Sequence, residues 1–153
     1  MKQKIDPFSV PRVGVGVMII RYFEGNPEPH VLLGERLGSH GEGEFSFPGG
    51  HLEFGESISG CAVRETTKEE CGVVIGNIRF QFFSNVTAYP GRHYAHIGVI
   101  ADYVSGEAEL LEPDKCKSWG WHPLNKLPSP LFLMCDQAIT SYYTRQTFFD
   151  SSE

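Results

Sequence analysis

Residues 49–72 read GGHLEFGESISGCAVRETTKEECG, and this stretch carries most of what the chain reveals about its fold and function. It holds a glycine, a glutamate, an Arg-Glu pair and a further acidic pair at fixed spacings. If each specified position matches by chance about once in fifteen, then Gly50, Glu56, Arg64, Glu65 and Glu69 coincide on the order of once per million starting points. Chance is therefore a poor explanation for the pattern.

The segment from Ser57 to Glu70 predicts a helix, because it is long, lacks proline and places its apolar side chains near one side. Ser57 is the expected N-cap. Residues four apart on an α-helix differ by about 40° in direction, so Glu65 and Glu69 share a face. Adjacent carboxylates repel each other unless a cation lies between them, and Mg²⁺ takes one or two carboxylates together with water and phosphate oxygens. The pair therefore indicates a metal site, with a solvated charged helix face as the alternative.

A glycine-containing turn precedes this helix. Pro48, Gly49 and Gly50 follow an apolar stretch, and glycine allows the close approaches through which a backbone carbonyl would complete a metal shell. Glu56 lies near the helix start, where the helix dipole favours a carboxylate, and Arg64 follows about two turns later on a similar side. We expect Glu56 and Arg64 to form a structural ion pair.

The rest of the chain indicates strands on both sides of this helix. The runs VGVGVMIIRY and VLLGER predict two strands, IRFQFFSNVTAY and HYAHIGVIADYV predict a hairpin joined by PGR, and CKSWGWHPL predicts one more strand. Residues 131–144 lack glycine and proline and predict a second helix. Two helices among these strands indicate an α/β layered domain with a mixed sheet.

The segment around 50–73 resembles the Nudix box, in which glycine, glutamate, Arg-Glu, a tandem acidic pair and glycine follow one another. Gly50, Glu56, Arg64 and Glu65 match this box in type and spacing. The resemblance implies one Nudix domain over residues 1–153, with the Nudix fold of an α/β/α sandwich around a mixed central sheet. It also implies an enzyme that uses Mg²⁺, or alternatively Mn²⁺, to hydrolyse a diphosphate bond.

The resemblance also assigns roles to individual side chains. It makes Glu65 and Glu69 the catalytic residues, and it makes Gly50, Glu65, Glu69 and Glu70 the metal ligands. Glu69 is the leading candidate for the general base, with Glu53 or Glu112 as alternatives.

The chain departs from the box at one point, because RETTKEECG carries one residue more than the family pattern between Glu65 and Gly72. In a regular helix Glu69 keeps its offset from Glu65, Lys68 takes the place of the first tandem acid, and Glu70 points about 140° away. In a one-residue π-bulge Glu69 and Glu70 regain the tandem role and Lys68 turns away. We expect the regular helix, in which Glu69→Gln nearly abolishes turnover and Glu70→Gln leaves most of it.

A wider similarity, from about residue 13 to residue 132, extends to the MutT-like branch that includes nudix hydrolase 15. It implies hydrolysis of a nucleoside triphosphate to the monophosphate and pyrophosphate. It also implies a set of substrate-binding residues, each of which has an alternative as an ordinary core, strand or loop residue. These are Arg36, Phe47, Gly49, His51, His96, Lys115 and Leu131.

Two other functions stay open from the sequence. One is hydrolysis of ADP-ribose or another nucleoside diphosphate linked to a second group. The other is a catalytically impaired nucleotide-binding module, in which Lys68 and the displaced acids have disabled the metal site.

Composition limits the partners. A net charge of -6 and a pI near 5.5 give no general attraction for a nucleic acid polymer or an anionic membrane, so a small nucleotide is the expected partner. No apolar run is long enough to span a membrane and no leader is recognisable, so we expect a cytoplasmic protein. The four cysteines lack CxxC spacing and are expected to be reduced. Relatives often form homodimers, and a 12% aromatic content would supply such an interface.

Overall fold

The computed structural model describes residue 6 and residues 9–150, so the predicted domain limits of 1–153 extend beyond the described residues. Within them the strands are β1 (Arg12–Arg21), β2 (His30–Arg36), β3 (Phe45–Ser46), β4 (Gly49–His51), β5 (Val74–Val86), β6 (Tyr94–Ser105), β7 (Cys116–Pro123) and β8 (Phe148–Asp150). The helical elements are α1 (Ile58–Val63), a π-helix (Arg64–Glu70) that continues α1, and α2 (Leu133–Thr144).

The strands form one mixed sheet in the order β3-β2-β1-β6-β5-β8, with β4 beside β1 and β7 beside β2. β1 is parallel to β6 and β5 is parallel to β8, whereas the other pairs are antiparallel. Along the side of β1 that faces away from β6, residues Gly14–Gly16 pair with β4 and only Ile20 and Arg21 pair with β2. β1 and β2 therefore diverge along their length, which opens a cleft between them.

Alternate residues of β1 supply two hydrophobic clusters on opposite faces of the sheet. Val17 and Ile19 belong to the cluster that packs against α1, whereas Met18 and Ile20 belong to the cluster that packs against α2. Because side chains alternate along a strand, each face of the sheet is covered by a helix. The predicted α/β/α sandwich with a mixed sheet is confirmed.

The predicted helix from Ser57 to Glu70 exists, but its second half is not a regular α-helix. Ser57 acts as the N-cap and accepts a hydrogen bond from the Gly60 amide at 2.9 Å. From Arg64 onward the helix has π geometry, so the expectation of a regular helix is wrong. The wider π turn absorbs the additional residue and brings residues five apart onto one side.

The contacts at the end of the π-helix give a physical reason for this geometry. The backbone carbonyl of Glu70 accepts hydrogen bonds from the Trp119 indole at 3.2 Å and from the Leu111 amide at 3.3 Å. The Thr67 hydroxyl donates to the Val73 carbonyl at 2.8 Å. These partners lie outside the helix and hold its last turn in place, so the surplus residue is taken up within the turn.

The second predicted helix begins two residues later than expected. Leu131 forms an isolated bridge with Phe45, and the Phe132 amide donates to the Phe45 carbonyl at 2.8 Å. This pairing keeps the chain extended up to Phe132, and α2 begins at Leu133.

The four cysteines are buried and free, as expected. In the part of the chain that the structure describes, the helices are too short or too polar to cross a membrane.

Phe82 tests the cluster beneath α2. It is 1% exposed, and its ring meets Phe149 edge to face at a centroid distance of 5.5 Å. Phe82→Ala should lower the free energy of unfolding by about 3–5 kcal/mol, because it leaves a cavity in a packed interior. Phe80, two residues earlier on β5, is 62% exposed and provides the control. Phe80→Ala should change stability by no more than about 0.5 kcal/mol in the same urea titration; equal losses would contradict this account of the core.

Candidate active site

The Arg64 guanidinium joins the π-helix to the preceding loop. Its Nε donates to Glu56 at 2.7 Å and its Nη2 donates to the other Glu56 oxygen at 3.0 Å. Nη2 also donates to the His51 carbonyl at 3.0 Å, while Nη1 donates to Glu65 at 2.8 Å and to Glu69 at 2.7 Å. The pKa of Glu56 is lowered to about 2 by its hydrogen bonds from Arg64. The structure therefore brings the predicted ion pair of Glu56 and Arg64 together.

The Glu65 carboxylate lies directly against Gly50. A Cβ atom at Gly50 would collide with that carboxylate, so only glycine fits there. Glu65 is 6% exposed, and its pKa is raised by burial and by the neighbouring charge of Glu69. A carboxylate is thus held against the backbone of the turn, where the sequence places a metal ligand.

Glu70 lies on the same side as Glu65, which a regular helix would not allow. One Glu70 oxygen accepts a hydrogen bond from the Gly49 amide at 3.1 Å. Burial, together with the charge of Glu65, raises the pKa of Glu70 to about 8. Glu69 is more exposed and is bound to Arg64, whereas Lys68 is exposed. The arrangement matches the π-bulge alternative, in which Lys68 turns away from the carboxylates.

The fit of this site to a divalent cation follows from its donor atoms. Among the described residues, no three His, Cys, Asp or Glu side chains converge into a ready-made metal shell. Glu65 is buried and Glu70 is half-buried, and both lie beside the backbone of Gly49–Gly50. The charge of Glu69 raises the pKa of Glu65, and the charge of Glu65 raises the pKa of Glu70. Hard oxygen donors with uncompensated negative charge suit Mg²⁺, which fills the rest of its shell with water and phosphate oxygens. The residues present therefore fit the metal that the box implies.

The carboxylates open into a cavity of about 910 Å³ in the cleft between β1 and β2. This volume lies within the usual range for small-molecule sites. Its lining includes Glu65, Glu69 and Glu70, here called the acidic end, and a set of rings and cationic side chains, here called the aromatic end. Glu35, Glu53, Glu112 and Asp114 also line it. One space therefore joins the candidate metal site to groups that can bind a nucleotide.

Arg36, predicted to contact phosphate, lies between the two ends of the cavity. Its Nε donates to the His40 carbonyl at 3.0 Å, and its guanidinium lies 4.1 Å from the centroid of the Phe132 ring. Burial lowers the pKa of Arg36, and the nearby charge of Glu70 opposes this effect only in part. The guanidinium is therefore desolvated and also close to the acidic end. This position suits a contact with phosphate oxygens that bridge the two ends.

Most of the other predicted substrate residues also line the cavity. Phe47, Gly49, His51, His96 and Lys115 do so, although Lys115 is largely exposed and pairs with Glu112 at 3.0 Å. Leu131 does not line the cavity, because its bridge to Phe45 places it among the core residues beneath α2.

The two histidines in this set have different environments. His96 is 8% exposed and lies against Gly16, where a Cβ would come within 2.8 Å of the imidazole. Burial lowers the pKa of His96 to about 4, so its ring is neutral near pH 7. His51 lies 3.1 Å from Arg12 through Nδ1, and burial together with Arg12 lowers its pKa. Both rings are therefore hydrogen-bonding or packing groups rather than fixed cations.

Two cavity residues, His40 and Tyr94, escaped the sequence interpretation. His40 stacks on Tyr94 at a centroid distance of 5.5 Å, and Tyr94 stacks on His51 at 5.6 Å. Phe132 closes this aromatic wall, with its ring 5.6 Å from that of His40. The available signal was the glycine-rich segment GSHGEGE, which marks a loop near the box, but only the fold brings His40 to Tyr94 and Phe132.

Comparison with known proteins agrees with this geometry. The NUDIX domain matches residues 10–141, so the chain belongs to the NUDIX domain family. The prediction of a Nudix hydrolase is thereby confirmed at the level of the family. The matches do not single out the branch that includes nudix hydrolase 15.

Individual relatives cover different parts of the chain. A MutT NUDIX hydrolase from Burkholderia pseudomallei is 30% identical, with a TM-score of 0.75 over 86% of this chain and 97% of that one. The NAD-capped RNA hydrolase NudC of Pseudomonas aeruginosa is 36% identical over 86 residues, which are 56% of this chain and only 29% of NudC. The NUDIX domain of Shewanella oneidensis NrtR, solved with ADP ribose, is 20% identical with a TM-score of 0.75, over 92% of this chain and 93% of that one, and supports the fold alone.

The π-helix changes which carboxylate matters most for metal binding. Glu70→Gln should raise the Kd for Mn²⁺, titrated by EPR, by roughly tenfold or more, because it removes a buried charge beside Glu65. The neutral amide should leave the metal-free fold at least as stable, since desolvation and the charge of Glu65 raise the pKa of Glu70 and so disfavour its charged form. Lys68→Gln is the matched control and should leave the Kd unchanged. This expectation replaces the one from a regular helix, and equal Kd values for Glu70→Gln and the wild type would refute it.

Proposed function

We propose that the chain catalyses metal-dependent hydrolysis of a diphosphate bond, with a nucleoside triphosphate cleaved to the monophosphate and pyrophosphate. One observation carries the proposal: the carboxylates of buried Glu65 and half-buried Glu70 line the same cavity as Arg36 and the aromatic wall. A triphosphate has an anionic part, which a metal held by these carboxylates would bind, and a planar base, on which the rings can stack, and the cavity offers both kinds of group.

The roles proposed for the box residues follow from their environments. Glu65 and Glu70, together with the backbone of Gly50, would hold Mg²⁺ or Mn²⁺. When bound there, the metal would neutralise charge on the diphosphate and lower the pKa of a water molecule. Glu69 is more exposed than Glu65, lies beside it and lines the cavity, so it can reach a water molecule there, which suits a general base.

The other candidates for the base are less favourably placed. Glu53 lines the cavity but is 66% exposed, and its carboxylate lies 3.7 Å from Arg64. Glu112 is paired with Lys115. We therefore retain Glu69 as the proposed base.

The substrate contacts would be divided along the cavity. Arg36 would contact the phosphates next to the metal, with Lys115 at the rim. The planar rings of His40, Tyr94 and Phe132 would receive the base, because aromatic rings stack favourably on heterocycles.

A nucleoside diphosphate linked to another group is the second candidate substrate. The names of the NudC relatives favour NAD-capped RNA, and the NrtR domain was solved with ADP ribose. Arg12 on the cavity wall offers a cation for a second anionic or ribosyl group.

A catalytically impaired binding module is a lesser alternative. The position of Glu70 on the same side of the helix as Glu65 weighs against it.

Product identity separates these functions. We expect the chain with Mg²⁺ to release pyrophosphate and a monophosphate from nucleoside triphosphates, and to lose this activity when the metal is omitted. Glu65→Gln should lower kcat by roughly two orders of magnitude or more, since it removes a proposed metal ligand. The panel should include ADP-ribose, NAD and NAD-capped RNA, with products separated by chromatography.

Each outcome of that panel has a definite meaning. AMP and ribose 5-phosphate from ADP-ribose, or decapping of RNA without triphosphate hydrolysis, would favour the second candidate. Nucleotide binding without any turnover in Mg²⁺ or Mn²⁺ would favour the binding module. The expected homodimer stays a prediction, and light scattering on the purified chain would test it.

A further inference from the structure

Three loops meet at the aromatic end of the cavity. His40 comes from the β2–β3 connection, Phe132 precedes α2, and Tyr89 comes from the β5–β6 connection. The Tyr89 ring contacts both others, with centroid distances of 4.7 Å to Phe132 and 5.3 Å to His40. Tyr89 does not line the cavity, whereas His40 and Phe132 do. Tyr89 therefore supports the wall from behind.

The Tyr89 hydroxyl joins these loops through two hydrogen bonds. It donates to a Glu44 carboxylate oxygen at 2.7 Å and accepts from the Leu133 amide at 2.9 Å. Leu133 is the first residue of α2, and the N-cap residue Phe132 has no side-chain hydrogen bond to this helix end. The hydroxyl therefore satisfies a backbone donor that the helix itself leaves without a partner.

Glu44 carries the connection into the β2–β3 loop that contains His40. The Glu44 amide donates to the Gly41 carbonyl at 2.9 Å. A Cβ at Gly41 would come within 2.8 Å of the Phe132 ring and 3.0 Å of the Glu44 carboxylate. The loop is thus packed closely on Phe132, and its position depends on where the Glu44 carboxylate is held.

We propose that Tyr89 is a positioning residue for the base end of the substrate site: its hydroxyl fixes the start of α2 and the His40 loop relative to each other, and so sets the spacing of the rings that stack on the base. This inference rests on the proposed function. The acidic end of the cavity has its own supports, namely Arg64 and the Gly49 amide, so the loss of the Tyr89 hydroxyl should affect binding of the base and spare the chemistry at phosphate.

Tyr89→Phe tests the proposal, because it keeps the ring and removes only the hydroxyl. We expect KM for the best nucleoside triphosphate to rise about tenfold with kcat nearly unchanged, since a hydrogen bond to a charged group is lost. The Kd for the matching nucleoside monophosphate, measured by calorimetry without metal, should rise by a similar factor. Inorganic tripolyphosphate has no base, and its Kd in Mg²⁺ should stay the same.

Two further variants separate positioning from general destabilisation. Tyr142→Phe removes a hydroxyl in the last turn of α2, outside the cavity, and should change neither KM nor Kd. Glu44→Gln keeps an oxygen that can accept from Tyr89, so its effect should be clearly smaller than that of Tyr89→Phe. Thermal unfolding of each variant confirms that the chains compared are folded.

The outcomes distinguish the two proposals. Nucleotide binding to the wild type with an unchanged Kd in Tyr89→Phe would overturn the role of Tyr89 and leave the proposed function standing. Equal weakening of monophosphate and tripolyphosphate would also overturn it, because the effect would then not be specific to the base. If the wild type neither binds nor hydrolyses any nucleotide, the proposed function fails and this inference fails with it.

Discussion

The Arg64 guanidinium sets the distance between the box helix and the strand that precedes it. It donates to Glu56, to Glu65, to Glu69 and to the His51 carbonyl, all with nitrogen-to-oxygen distances of 2.7–3.0 Å. A planar guanidinium can make several such bonds in fixed directions, which a lysine ammonium cannot do. Because β4 ends at His51, these bonds hold the turn at Gly50 against Glu65. Arg64 therefore fixes Glu65 and Glu69 at the candidate metal site and holds Glu56 near the start of the helix.

That arrangement concentrates negative charge where the protein gains no stability from it. Glu65 is buried and Glu70 is half-buried, and their pKa values are raised by desolvation and by neighbouring carboxylates. Buried charge without full compensation is unfavourable in a fold that is only marginally stable, so such a pair indicates a function that uses it. The glycines of the turn have a related role, since a side chain on Gly50 would exclude the carboxylate from its position. The close contact between the Gly50 backbone and the Glu65 carboxylate therefore leaves no room for a side chain at residue 50.

The sequence predicted the parts of the site that depend on local spacing. The Glu56–Arg64 pair, the position of Glu65 and the N-cap at Ser57 follow from helix periodicity and capping rules. The π-helix did not follow, because contacts from Trp119 and Leu111, distant in the chain, fix the end of that helix. One additional residue can be accommodated by a π-helix or by a longer loop after a regular α-helix, and local helix propensity does not distinguish these two structures.

The aromatic wall shows the same limit over longer range. His40, Tyr94 and Phe132 are separated by tens of residues and meet only because β1 and β2 diverge and α2 begins late. Leu131 packs against the core, whereas its neighbour Phe132 lines the cavity. Successive side chains of an extended segment point to opposite faces, so only one of these two residues faces the cavity. Roles assigned by resemblance are therefore least secure at the borders of strands and helices.

The distribution of charge within the cavity also bears on how a substrate would bind. The chain as a whole carries a net charge of -6, and three of its carboxylates lie together at the acidic end, where they repel phosphate. The rings of the aromatic end, with Arg36 between them and the carboxylates, can attract a nucleotide without a metal, because stacking on the rings does not involve those carboxylates. The diphosphate, however, can approach Glu65 and Glu70 only once a divalent cation offsets their charge. Base binding and metal binding are thus separate physical events in one cavity, and only their combination would bring a diphosphate bond to the proposed catalytic carboxylates.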